Sequence, residues 1–245
     1  LASCSSAPIE DQDVNWSTYL GDSGRRHYSN LTQITPDNVD QLELAWAYDS
    51  GDLRSGNSTM YTSPLVVDGV FYGLSPTLTA FAVNAATGEE LWRHDPGVPA
   101  GPQRGLMWWD HNGEQRLLYT AGRYVIALNP TDGSAVTEFG INGQLDLMPP
   151  ERTGSLRVTV PGIVFDDMLI FGFSTLESDG ALPGSIRAFD ATDGHLLWQF
   201  DSIPKPGALG AETWAEGTLE NAAGANTWTG FTLDEEPQLL FVTTG

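Results

Sequence analysis

The sequence predicts an all-β chain of repeated four-stranded units, the pattern of an incomplete β-propeller. Three observations predict it: a glycine-turn motif that recurs along the chain, a two-strand hairpin ahead of each copy, and almost no helical periodicity. The first copy of the motif is Ala82-Val83-Asn84-Ala85-Ala86-Thr87-Gly88-Glu89-Glu90-Leu91-Trp92. The second clear copy, with the same internal spacing, is Ala188-Phe189-Asp190-Ala191-Thr192-Asp193-Gly194-His195-Leu196-Leu197-Trp198. Between them, Ala127-Leu128-Asn129-Pro130-Thr131-Asp132-Gly133 begins the same way but has Thr137 where the tryptophan would fall. The copies start at 82, 127 and 188, steps of 45 and 61 residues. Four-stranded blades repeat at roughly 40–50 residues and lengthen where loops are inserted.

Each part of the motif has a physical reading. The small and apolar residues end one strand, Asn or Asp opens a tight turn, and Gly supplies the positive φ that the turn needs. A second strand then ends in Leu-Trp, whose large ring can wedge between neighbouring blades, so Trp92 and Trp198 read as structural. Ahead of the motifs, in chain order, Ser63–Val67 and Val70–Gly73 flank an Asp68-Gly69 turn. Gly105–Trp109 and Gln115–Tyr119 flank a turn around Asn112-Gly113, and Gly162–Phe165 and Met168–Gly172 flank Asp166-Asp167. Phe231–Leu233 and Leu240–Val242, joined through Glu235-Glu236, open a further blade. One short helical turn is predicted at Thr35–Val39, with Thr35 as N-cap and Pro36 in the first helical position. Three motif copies and their flanking strands make about three to four blades. An open propeller leaves sheet edges unpaired, so the chain reads as a fragment of a longer protein.

Composition narrows the function classes. The 245 residues carry 32 acids against 11 bases, a net charge of −21, which repels phosphate and excludes nucleic acid as a partner. The acidic, lysine-poor balance fits a salt-rich habitat or ordinary solubility. No stretch approaches the roughly 18 consecutive apolar residues of a membrane-spanning helix. Cys4 is the only cysteine, so there is no disulfide framework and no paired-cysteine metal or haem motif. Its setting, Leu1-Ala2-Ser3-Cys4, matches the bacterial lipobox, and residues 1–13 read as a lipid-anchored tether ahead of a single domain at 14–245. Lipid on Cys4 would hold the protein at a membrane surface in the periplasm; the other reading is a chance four-residue match. His27, His94, His111 and His195 sit at turns or blade edges and read as surface residues.

The repeat resembles the blades of the pyrroloquinoline quinone (PQQ)-dependent dehydrogenases, an eight-bladed propeller family. Further segments carry the resemblance along nearly the whole chain. They are Tyr28–Ile34 with Asn38–Leu42, Arg104-Gly105-Leu106-Met107-Trp108-Trp109, Pro204-Lys205-Pro206-Gly207 with Glu212-Thr213-Trp214, and Gly224-Ala225-Asn226-Thr227-Trp228. The last two are most similar to the membrane-associated glucose and quinate branch. The resemblance implies an enzyme that oxidises an alcohol, polyol or sugar with PQQ and a calcium or lanthanide ion. It further implies that electrons pass to a membrane quinone or a cytochrome. By matching position, Trp228 would be the indole on which the flat quinone stacks. Arg104 would pair with a PQQ carboxylate through its planar fork, and Thr159 would offer a hydroxyl contact. Glu177 would be a carboxylate ligand to the metal; read from the residues alone, it is a solvated loop acid beside Ser178 and Asp179. No residue here matches the family's catalytic Asp base, which the resemblance places beyond Gly245.

Two positions depart from the family pattern. Tyr61 stands where relatives carry Glu or Gln near the quinone, and Trp109 where sugar-oxidising relatives carry His. A different reading keeps the fold and drops the chemistry: a non-catalytic propeller lipoprotein serving as an outer-membrane assembly scaffold. A scaffold has no use for Arg104, Glu177 and Trp228 together.

Overall fold

Every predicted hairpin forms the first two strands of an antiparallel sheet, and every glycine-turn motif joins the third strand to the fourth. A computed structural model describes residues 15–53, 59–99, 101–150, 152–178 and 180–245; Cys4 and the lipobox lie outside them. The first sheet is β1 (Leu65–Val67), β2 (Val70–Leu74), β3 (Ala80–Asn84) and β4 (Glu90–His94). The second is β5 (Met107–His111), β6 (Glu114–Ala121), β7 (Tyr124–Leu128) and β8 (Gln144–Asp146). After the short β9 (Leu156–Arg157) come β10 (Ile163–Phe165), β11 (Met168–Phe171), β12 (Ser174–Thr175), β13 (Ile186–Asp190) and β14 (Leu196–Phe200). Of these, β10-β11-β13-β14 make the third sheet, while β12 pairs with β9. A fourth sheet has two strands among the described residues, β15 (Phe231–Asp234) and β16 (Leu239–Val242). Among the described residues, helix is confined to three single 3-10 turns.

The three motif turns share one geometry. The side chains of Asn84, Asn129 and Asp190 each accept the backbone N–H two residues on, at 2.9, 2.9 and 2.7 Å. Their carbonyls accept the N–H of Gly88, Gly133 and Gly194, whose φ values are 74°, 72° and 83°. Only glycine takes that backbone without strain. The predicted turn closes at Thr35–Val39, where the Asn38 and Val39 N–H groups donate to Thr35 O at 3.2 and 3.0 Å, and a 3-10 turn continues it at Val39–Gln41; Asn38 Oδ1 also accepts the Thr35 N–H at 2.7 Å.

Both faces of each inner strand are buried, since alternate residues enter opposite seams. Leu117 and Tyr119 of β6 pack with Leu65, Leu74 and Trp92 of the first sheet, whereas Leu118 packs with Phe171 and Phe189 of the third. A third seam joins Ile163 and Ile170 to Phe231 and Leu233. The core is therefore a series of seams between successive blades, with no single centre.

The seams are pinned at the motif turns. Trp92, 7% exposed, lies over Gly133 of the next blade, and its indole N–H donates to Pro130 O at 2.8 Å. A Cβ on Gly133 would stand 2.5 Å from the ring. Trp46, to which the sequence assigned no role, repeats the arrangement one blade earlier, over Gly88 and donating to Ala85 O at 2.9 Å. At the second-to-third junction the tryptophan's two jobs are divided. Leu145, 3.4 Å from where a Gly194 Cβ would stand, supplies the packing, and Arg116 donates to Ala191 O at 2.8 Å. The expected position, Thr137, lies in an insertion ahead of β8, so the anchor is displaced along the chain. Trp198 stands in the same register, pairing with Ala188 as Trp92 pairs with Ala82, and is 38% exposed. No third or fourth strand of the fourth sheet covers it among the described residues.

Residues 15–25 cross the first strand of each sheet in turn. Trp16 exchanges backbone hydrogen bonds with Val66, the Tyr19 ring lies against Gly105, and Leu233 N donates to Ser23 O at 3.0 Å. Arg25 donates to Gly162 O at 3.0 Å and to Phe231 O at 3.2 Å. Farther along, Asp52 ties its segment to the β2–β3 turn, accepting from Ser50 Oγ at 2.6 Å, from Thr77 N at 3.3 Å and from the hydroxyls of Ser75 and Thr77.

Trp92→Ala should cost about 3–5 kcal/mol in denaturant unfolding, with Gly133→Ala destabilising in the same assay. Partial burial pushes the Asp52 pKa up, but hydrogen bonds from Ser50, Ser75 and Thr77 outweigh it and hold it at about 2. Its contribution is therefore full above its unfolded value of about 3.9 and is lost as pH falls through about 2. Asp52→Ala should unfold more easily than the parent at neutral pH, and the difference should close between about pH 4 and about pH 2.

Candidate functional site

The segments leading into the four first strands lie side by side at one end of the sheets. Ser63 N donates to Arg104 O at 2.8 Å and Arg104 N to Thr159 O at 3.1 Å, and Ser63 and Gly105 form a parallel bridge. Tyr61, Arg104, Thr159 and Trp228 each stand three or four residues before Leu65, Met107, Ile163 and Phe231, which open those strands. Positions 43 to 69 residues apart in sequence thus become equivalent positions on successive blades. Three of the four were singled out as cofactor contacts, and the fourth, Tyr61, is exposed.

Arg104 is held from both sides. The buried side chain of Gln103 accepts the Arg104 N–H at 2.7 Å and donates to Thr120 O at 2.9 Å. The Arg104 guanidinium donates to Thr159 Oγ1 at 3.1 Å and to Thr159 O at 3.3 Å. Thr159 therefore orients Arg104 directly.

Trp228 is fixed by close backbone packing. A Cβ on Gly184 would stand 2.6 Å from Asn226 Cα, and one on Gly172 would collide with Thr227. The segment carrying Trp228 lies against the third blade because these two positions lack side chains. Trp228 is 43% exposed and lines a cleft of about 340 Å3 that Arg104 also lines, with Tyr19, Arg25, Val160 and Phe231 around it. Among the described residues, no Asp or Glu lines that cleft. In a chain with 32 acids and 11 bases, two guanidiniums beside an open indole and no acid make a local reversal of charge.

Asn226, quoted in the sequence only as part of a segment, links Glu177 to this group. It is 3% exposed, and its Oδ1 accepts from Thr175 N at 3.1 Å and from Thr175 Oγ1 at 2.7 Å. Its Nδ2 donates to Thr175 O at 3.2 Å and to Glu177 Oε1 at 3.4 Å. The Asn226 backbone also pairs with Gly245 in both directions, at 3.2 and 3.0 Å. Its signal in the sequence was a polar amide inside a Gly- and Ala-rich run, which does not by itself distinguish a buried amide from a turn residue.

Other sequence candidates lie elsewhere. Trp109 is buried in the seam between the second and third sheets, donates its indole N–H to Asp167 Oδ1 at 3.1 Å, and does not line the cleft. Among the described residues, the one group of three metal-type side chains is Asp190, Asp193 and His195, in the third motif turn. His195 is exposed as expected, and its hydrogen bond to Asp193 raises its pKa. His94 departs from the surface expectation: it is partly buried at the end of β4, and that burial lowers its pKa.

Residues 16–245 match the family described as PQQ: glucose/ethanol/alcohol dehydrogenase, β-propeller domain. Quinoprotein glucose dehydrogenase A of Acinetobacter calcoaceticus is 29% identical over 269 residues, covering 95% of this chain and 33% of that protein. The dehydrogenase subunit of the alcohol dehydrogenase (quinone) of Komagataeibacter europaeus is 33% identical over 232 residues, covering 89% and 29%. Among solved structures, the quinohemoprotein alcohol dehydrogenase ADHIIG of Pseudomonas putida HK5 shares the fold. Its TM-score is 0.75 at 24% identity, covering 93% of this chain and 34% of that one. The chain spans about a third of the length of the curated relatives it matches. The match across nearly the whole sequence establishes that the chain belongs to the PQQ glucose/ethanol/alcohol dehydrogenase β-propeller family.

Proposed function

We propose that the protein binds PQQ in the cleft between Arg104 and Trp228 and oxidises an alcohol, polyol or sugar. The observation that carries this reading is the cleft itself, with an open indole, two guanidiniums and no acid lining it among the described residues. PQQ is a flat aromatic polycarboxylate, so its rings suit Trp228 and its negative charge suits the guanidiniums. Bound there, the quinone supplies a two-electron oxidant for an alcohol carbon.

The chain's own residues bind and orient. Trp228 offers a face held in place by the contacts at Gly172 and Gly184. Arg104, steered by Thr159 and Gln103, presents its fork to a carboxylate. Glu177 supplies carboxylate oxygens suited to calcium or a lanthanide, and Asn226 restrains it by holding one of those oxygens. The Leu1–Cys4 motif supports a membrane-tethered, periplasmic location, from which a membrane quinone or a cytochrome would accept the electrons. A scaffold role leaves the acid-free cleft without a purpose.

Full-length apoprotein titrated with PQQ and calcium, followed by cofactor absorbance and dye-linked alcohol oxidation, tests the reading. PQQ should bind saturably, and Trp228→Ala should weaken binding about tenfold or more while leaving the fold intact. Unchanged retention by that variant would remove Trp228 from the site. Asn226→Ala strips partners from Thr175 and Glu177. It should lower stability by about 1–3 kcal/mol in thermal unfolding and raise the calcium concentration needed for PQQ binding; an unchanged calcium requirement would refute its link to Glu177.

A further inference from the structure

We infer that Arg25 is a second cationic contact for the carboxylates of the bound quinone, an inference that rests on the PQQ reading of the cleft. Arg25 lies on the segment that crosses the first strands, at a left-handed φ of 56°, far in sequence from Arg104 and Trp228. It nevertheless lines the same cleft as both.

The guanidinium's hydrogen-bond partners are all neutral carbonyls. Nη1 donates to Tyr19 O at 2.6 Å, Nη2 to Gly162 O at 3.0 Å and Nε to Phe231 O at 3.2 Å. The Tyr19 ring lies 4.8 Å from its Cζ. These carbonyls take three of its five N–H groups, which leaves two to donate. Asp22, the acid closest in sequence, bonds instead to the backbone and side chain of Arg26. On its other side Arg25 walls a second cleft that Asp110, Asp166 and Glu235 also line, yet none of these pairs with it. Among the described residues Arg25 makes no ion pair.

A desolvated cation that no carboxylate contacts among the described residues is costly, and here it occurs in a chain of net charge −21, with Asp22 acting on it only through space. Burial lowers its pKa to about 10, so it stays charged at neutral pH. An anionic ligand in the cleft would supply the missing charge. Because Arg25 also bonds the lead-ins of the third and fourth blades, it would place that ligand relative to both.

The test uses full-length apoprotein with calcium, titrated with PQQ and with its neutral trimethyl ester, each followed by quenching of tryptophan fluorescence. Arg25→Gln should weaken binding of the acid about tenfold and change binding of the ester little. An equal loss for both ligands would mean a purely structural role, and no loss for either would overturn the proposal. Since Arg25→Gln also removes bonds to three carbonyls, a crystal structure of the PQQ-loaded parent protein gives a second measurement. A PQQ carboxylate within about 3.2 Å of the Arg25 guanidinium is expected; all carboxylates lying out of hydrogen-bond reach would overturn the assignment even if the variant does not fold. Failure of the parent protein to bind PQQ at all would sink the site itself, an outcome separate from any result on Arg25.

Discussion

The architecture depends on one repeated contact, a large side chain from an outer strand laid over a turn that has no side chain of its own. Gly88, Gly133 and Gly194 do two jobs in it. Each takes the positive φ that closes its turn, and each leaves a bare surface for Trp46, Trp92 or Leu145. A Cβ at any of the three would strain the turn, and at Gly88 or Gly133 it would also strike the tryptophan ring. The hydrogen bond to the turn carbonyl adds direction to the packing, which fixes how one blade is rotated on the next. At the third junction Leu145 and Arg116 divide these roles, so the contact is conserved in its physics where its residue types change.

That rotation is what builds the site. Because the blades are stacked in register, the lead-ins to their first strands converge, and Arg104, Thr159 and Trp228 arrive beside one another without any contact in sequence. The segment at 15–25 then closes the arrangement from within, bonding the first strands of the blades it crosses. The same segment delivers Arg25 into a cleft already lined by Arg104. Structural scaffold and candidate binding surface are therefore made of the same backbone, and the buried guanidinium belongs to both.

Much of this was legible in the sequence because it is local. Turn chemistry at Asp68-Gly69 and Asn112-Gly113, strand alternation and the motif spacing depend on neighbouring residues, and each produced the predicted hairpin. Trp92 was legible as a wedge for the same reason. Trp198, identical in motif and register, reads the same way. Thr137 misled: an insertion displaced the anchor to Leu145, and spacing alone does not show where a strand resumes. Asn226 and Arg25 carried no local signal, since an amide in a glycine-rich run and an arginine in a charged turn are ordinary surface features until the fold buries them.

Strands, turns and, through residues resembling a known family, the candidate contacts Arg104, Thr159, Glu177 and Trp228 are readable from the chain alone. Periodicity and φ preference act over a few residues, so one chain suffices to read them. The fold alone ties Glu177 to Trp228's segment through Asn226 and sets two arginines in one cleft that no acid among the described residues lines. Those are properties of the space between blades, created when distant segments are brought together and water is removed from between them.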